Sequence, residues 1–135
     1  MFVTLLSLFF ACQPKEEDIA CTADFRYSAT LTIKDQNGNL VSDADVTYTV
    51  DGTEGTYVDT WLEGEYAVGG EESGDFVVDI FAEVDTEDPC CWEVGSATLE
   101  FTIEADECHV ISQAFAPELE WDLVCADVDE NGECG

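Results

Sequence analysis

From Phe25 onward, apolar residues fall on every second position. Phe25, Tyr27, Ala29, Leu31 and Ile33 alternate with Arg26, Ser28, Thr30, Thr32 and Lys34. Successive side chains of a strand point to opposite faces, so this run predicts a strand whose odd-numbered residues face a core. A sheet with one apolar face must be covered by a second layer. The rest of the chain has to supply it.

The same period recurs along the chain. After the turn Asp35-Gln36-Asn37-Gly38-Asn39, where Asn-Gly can supply positive φ, Val46, Tyr48 and Val50 alternate with Asp45, Thr47, Thr49 and Asp51. DGTEG turns the chain again, and TYVDTW and EYAV read as shorter strands parted by LEG. Phe76, Val78, Ile80, Ala82 and Val84 share the next face, followed by the loop DTEDPCCWEVG. Ala97, Leu99, Phe101 and Ile103 then alternate with Thr98, Glu100, Thr102 and Glu104. HVISQAF is read as a late strand, and Leu119, Trp121 and Leu123 alternate with Glu118, Glu120 and Asp122. That makes about seven to eight short strands with turn chemistry between them and no helical period, the pattern of an all-β fold. The expectation is a single antiparallel β-sandwich.

Charge narrows the partners. The 135 residues carry 32 Asp+Glu against 3 Lys+Arg, a formal net charge of -29. Such an imbalance argues against nucleic acid and anionic lipid headgroups as partners of the folded domain. Hydrophobic residues at 46% and aromatics at 11% are too many for a chain that never buries them, so disorder is a poor account of the acids. They occupy outward positions of half-buried strands, where charge also discourages edge-to-edge pairing.

Residues 2–11 form an uncharged, mostly apolar run, too short to span a bilayer as a helix and suited to the core of an export signal. It stops at Ala11-Cys12. Phe9-Phe10-Ala11-Cys12 resembles the lipobox of bacterial lipoproteins, although Phe stands where that family prefers other residues and no Lys or Arg precedes the run. The resemblance implies cleavage before Cys12, lipid on its thiol and a membrane anchor. Gln13 then hints at the outer membrane of an exported, envelope-bound protein. Seven cysteines leave one unpaired in an oxidising compartment. With Cys12 assigned to lipid, Cys21, Cys90, Cys91, Cys108, Cys125 and Cys134 remain as disulfide candidates. The expected organisation is a signal over 1–11, a lipidated cysteine and polar tether over 12–23, the sandwich over 24–125 and an acidic tail over 126–135.

TLTIKDQNGNLVSDADVTYTV, TYVDTWLEGEYAVGG and TIEADECHVISQ together resemble the carboxypeptidase regulatory-like domains, transthyretin-like β-sandwiches frequent in bacterial surface lipoproteins. The features that carry the resemblance are a strand running into D-x-x-G-N-x-V-x-x-A-x-V, the Gly64, Tyr66 and Val68 strand, and the D-E-C-H-V step. It covers roughly residues 24–115; the stretch 86–95 and the C-terminal strand and tail depart from it. It implies a transthyretin- or Ig-like fold, a surface setting, no catalytic residue, and a pairing of Cys108 with Cys21.

Candidate chemistry is sparse. Cys108 and the chain's one histidine, His109, are adjacent. On a strand they would point to opposite faces, so they cannot easily grip one zinc ion or act as a nucleophile pair. Cys90 and Cys91 call for two different partners, with Cys125 and Cys134 as the choice, while a Cys125–Cys134 bond is a competing possibility. Trp92, in the same loop, is a candidate ligand contact. Asp127, Asp129 and Asn131 with Gly132 match the opening of a calcium loop, although the twelfth position, where an EF-hand places glutamate, lies past Gly135. Calcium is thus the one cofactor to consider.

The reading that results is a non-enzymatic envelope lipoprotein presenting a small acidic, disulfide-stapled sandwich as a structural or binding accessory. The alternative is a calcium- or carbohydrate-binding adhesion module. An extracellular protein or glycan is the expected kind of ligand.

Overall fold

The computed structural model describes Cys21 and residues 23–135, so the signal segment, Cys12 and most of the tether lie outside the described residues. The fold is all-β. Strands β1 (Tyr27–Thr32), β2 (Lys34–Asp35), β3 (Asp45–Val50), β4 (Thr53–Glu54), β5 (Val58–Leu62), β6 (Glu65–Gly70), β7 (Gly74–Asp85), β8 (Cys91–Ile103), β9 (Gln113–Phe115), β10 (Glu118–Leu119) and β11 (Asp122–Cys125) follow one another. They form a four-stranded sheet ordered β5-β6-β1-β9, a five-stranded sheet ordered β11-β8-β7-β3-β4, and the small pair β10-β2. Most pairings are antiparallel, as expected; β1–β9 and β10–β2 are parallel. Those two arise because the chain returns beside β1 and β2 from the far sheet.

The core lies between the sheets. Ala29, Leu31, Tyr66 and Val68 meet Val46, Tyr48, Phe76, Val78 and Ile80, and Ile103, Val110 and Leu119 close the ends. Rings of Tyr48, Phe76, Phe101 and Phe115 follow one another at centroid spacings of 5.6, 5.4 and 4.3 Å. This row joins the two sheets, since Phe115 belongs to the four-stranded one. Aromatic neighbours at such spacings add to their area burial.

Three disulfides staple the sandwich: Cys21–Cys108, Cys90–Cys134 and Cys91–Cys125. Cys90 and Cys91 thus take different partners, and the competing Cys125–Cys134 bond is not formed. Cys91 and Cys125 are also register partners in the β8–β11 pair.

The turn residues that carried the family resemblance have defined work. Asp35 Oδ1 accepts from the backbone N–H groups of Asn37 and Asn39 at 2.9 and 3.0 Å, and its Oδ2 accepts from Trp121 Nε1 at 3.1 Å. Gly64 has φ 74° in the β5–β6 turn, and a Cβ there would come within 2.8 Å of Leu40. The buried Tyr66 hydroxyl donates to Val41 O at 2.9 Å and accepts from Ala44 N–H at 3.0 Å, fixing the approach to β3.

Four expectations need correction. Phe25 and Tyr27 leave the core: Phe25 is exposed and Tyr27 half-buried, whereas Ser28 and Ala29 are both fully buried. The alternation breaks opposite Gly69, whose φ of 72° kinks β6, and Ser28 instead bonds the Glu72 backbone in both directions at 2.6 and 3.1 Å. Cys108 and His109 lie in a bend between the bridge partners Ala105 and Val110, and only Gln113–Phe115 of HVISQAF is strand. There Asp106 Oδ1 accepts from both the Cys108 and His109 N–H groups at 2.8 Å, which rounds the chain instead of extending it. The loop expected over residues 85–95 is already strand from Cys91. The terminal strand 118–123 splits: Glu118–Leu119 pairs with β2, Asp122–Cys125 pairs with β8, and Leu123 is exposed. Trp121 sits at the break, over Gly95, tied to Asp35 and by its N–H to Gln36.

Candidate binding face

Two neighbouring features stand where the N-terminal segment joins the four-stranded sheet. The first is a polar corner. Glu71, at φ 53°, accepts the Arg26 N–H on Oε1 at 2.9 Å and the Val110 N–H on Oε2 at 3.3 Å. Its Oε1 also lies 2.6 Å from His109 Nδ1. Burial alone would raise the Glu71 pKa, but the bonds from His109, Val110 and Arg26 outweigh it and hold the carboxyl below its ordinary value. Asp106 is held low chiefly by the two N–H groups of His109 and Cys108. The Cys108 thiol is spent in the bond to Cys21. The histidine therefore ties the β6–β7 turn to the 105–110 bend. A shallow hollow of about 440 Å³ opens beside it, lined by Phe25, Glu71, Asp106 and His109 among others.

The second feature is aromatic. Phe25, Tyr27, Tyr57 and Trp61 form a continuous cluster, with centroid distances of 5.3 Å for Phe25–Tyr27, Phe25–Tyr57 and Tyr27–Trp61 and 6.0 Å for Tyr27–Tyr57. Its position follows from register. Ala29–Val68–Val58 and Leu31–Tyr66–Thr60 are rows across the sheet whose β1 and β6 members face the core, so Thr30–Ala67–Asp59 faces outward. The Tyr27 hydroxyl donates to Asp59 Oδ2 at 3.0 Å, which brings its ring to this outer face. Gly70 provides room: a Cβ there would come within 2.5 Å of the Phe25 ring. Phe25, Tyr57 and Trp61 remain 53%, 40% and 44% exposed, with Leu62 beside them at 63%. A contiguous apolar patch open to water is a surface that another molecule can cover.

Two polar edges of the cluster meet an acid. Trp61 Nε1 donates to Glu65 Oε2 at 3.1 Å, as Tyr27 does to Asp59. The bond to Asp59, with burial and the carboxylate charge behind it, pushes the Tyr27 phenol up to about 12. The alternation of residues 25–33 assigns Phe25 and Tyr27 to the core and so hides this face. Tyr57 and Trp61 share one parity along TYVDTW, and that spacing was the available signal.

The other candidates lie apart from it. Trp92 is half-buried in β8, with Asp85 and Val124 as register partners, and it borders a separate hollow with Asp85, Asp88 and Pro89. Asp127, Asp129 and Asn131 fall in a small C-terminal hairpin closed by a Val128–Cys134 bridge and the Cys90–Cys134 bond. Asp129 Oδ1 accepts the N–H groups of Asn131 and Glu133 at 2.9 and 2.8 Å, so that oxygen serves the turn. Among the described residues, no group of three or more His, Cys, Asp or Glu side chains is placed to hold a metal ion.

Comparison with family models, curated proteins and solved structures found no match to this chain.

Proposed function

We propose that this chain is a non-enzymatic lipoprotein of the cell envelope, anchored through Cys12, whose acidic sandwich serves as a binding accessory. The observation that carries the reading is the exposed ring cluster of Phe25, Tyr57 and Trp61 on the outer face of the four-stranded sheet. Aromatic anchors of this kind concentrate binding energy when a partner excludes water from them. The three disulfides suit an exported protein, and the apolar run ending at Cys12 supplies both the route and the anchor.

The anchor is tested by expressing the full chain in a bacterial host fed a clickable palmitate analogue. Label should enter the wild-type chain and be missing from Cys12→Ser. Equal labelling of both would overturn the anchor. The display role is tested by adding the soluble Cys12→Ser chain to washed envelope fragments: wild-type rings should be retained and Trp61→Ala should wash out.

A further inference from the structure

We infer that the outer face built from Tyr27, Tyr57 and Trp61 binds a polysaccharide of pyranose units that carries no negative charge. The inference rests on the binding role proposed above and names its ligand.

Chemistry and charge choose the occupant together. Exposed aromatic rings ask for an apolar surface, and the acids between them ask for hydrogen-bond donors. A pyranose offers both, with C–H groups on its faces and hydroxyls around its rim. Asp59 and Glu65 each accept one bond from a ring edge, and a carboxylate has about four acceptor positions, so room remains for sugar hydroxyls. Tyr27 and Trp61 stack on each other within 19° of parallel, and Tyr57 leans on Tyr27 at 38°, so the rings back one another as a packed ridge and do not open as a box. Rings in contact with one another leave no gap for an alkylammonium group, which an aromatic cage would need.

The other occupants fit less well. A second copy would bring a second charge of -29 against the first. Anionic glycans, nucleic acid and acidic lipid are repelled for the same reason. Insertion into a neutral bilayer would carry Asp59 and Glu65 toward hydrocarbon with the rings. The platform is also continuous with Phe25 and so with the segment fixed by Cys21–Cys108, which places it beside the point where the tether leaves the sandwich. An anchored chain therefore holds this face close to the envelope surface.

The test is affinity electrophoresis of the Cys12→Ser chain in gels cast with hydroxyethylcellulose, xylan, galactomannan or glycol chitin, and with polygalacturonate as the anionic control. Retardation is expected in at least one uncharged gel and not in polygalacturonate. Trp61→Ala and, separately, Tyr57→Ala should weaken it by about tenfold or more, the loss expected of a buried aromatic anchor. Far-UV circular dichroism and a thermal melt establish that each variant is folded, and should one misfold the other decides. No retardation in any uncharged gel overturns the inference, as does retardation that both folded variants retain. Ring-dependent binding to phosphatidylcholine vesicles or to a lysine-rich peptide, with no glycan bound, would overturn the glycan and keep the binding role. If envelope retention too is indifferent to the rings, both fall.

Discussion

Thr98 donates a hydrogen bond from Oγ1 to Asp79 Oδ1 at 2.8 Å, directly across the β7–β8 hairpin on the outward side of the five-stranded sheet. Thr102 does the same for Asp75 at 2.7 Å. The pattern extends further: among the register pairs of the described strands, none sets two acids opposite each other. Acids face Thr, Ala or larger apolar residues, and Glu118 faces Lys34. A chain of net charge -29 keeps its carboxylates out of the closest cross-strand positions, where like charges are destabilising.

Replacing Thr98 with Glu breaks that arrangement. A like-charge pair with Asp79 should cost about 0.2–1 kcal/mol at low salt, by the usual size of cross-strand pair effects. Raising the ionic strength should recover much of the loss, because exposed charges are screened. Thr98→Val removes the bond without adding charge, so its smaller loss should be insensitive to salt. Urea titrations of the three proteins at two salt concentrations make the comparison. Equal salt dependence in all three would refute it.

Tyr66→Phe keeps the ring and removes the hydroxyl between Val41 O and Ala44 N–H. The Val41 carbonyl is then left without that partner in a buried place and the Ala44 N–H in a half-buried one, at a cost of about 1–3 kcal/mol. The urea midpoint should fall while glycan retardation stays unchanged, since Tyr66 lies on the core side of its sheet.

Asp35 titrates below its ordinary value of 3.8, mainly because Trp121 Nε1 donates to it, with backbone N–H groups of Asn39 and Asn37 adding to the effect. A carboxyl depressed in the folded state contributes stability above the unfolded pKa and loses it as pH falls through the folded one. Wild type should therefore exceed Asp35→Asn in midpoint by a constant margin at neutral pH. The margin should shrink as pH drops below 3.8. Comparing the two proteins cancels the relief of self-repulsion that acid brings to both. A margin that holds at all acid pH values would rule out this role for the charge.

The Cys21–Cys108 bond closes a separation of 87 residues and crosses from the chain's entry to the 105–110 bend; Cys90–Cys134 spans 44 and holds the C-terminal hairpin. Replacing the first pair with serine should cost about 2–5 kcal/mol. Replacing the second should mainly free residues 126–135 to proteolysis, with a smaller shift in the melt. Limited proteolysis followed by mass spectrometry separates the outcomes.

Calcium and magnesium at matched ionic strength should raise the melting midpoint alike, as screening of the acids requires. A clear excess for calcium would direct mutagenesis to Asp127, Asp129 and Asn131.

The strands themselves were legible in the chain because alternation is a local property. Val46–Val50, Phe76–Ala82 and Ala97–Ile103 each show their inward face at every second residue, and the structure keeps those faces; Val84, at the end of the same run, is left exposed. The outward placement of the acids followed from the same period. The ring face was not legible, because Phe25 and Tyr27 continue the alternation of Ala29, Leu31 and Ile33 without a break in the residues. The break comes from Gly69 and Glu72, which are distant in sequence and meet Ser28 only after β1 pairs with β6.

The same division runs through the C-terminal part. Alternation through Leu119, Trp121 and Leu123 specified extended chain there. Only the packed sandwich decided that Leu119 would close the core beside β2, that Trp121 would stop over Gly95 to reach Asp35, and that Leu123 would be left outside along β8. The cysteines specified staples, and the register of β8 against β11 set Cys91 opposite Cys125. Local pattern determines what each segment is, since backbone geometry repeats every two residues. Which segment lies beside which depends on contacts between residues far apart in the chain, and no short window of sequence contains both partners.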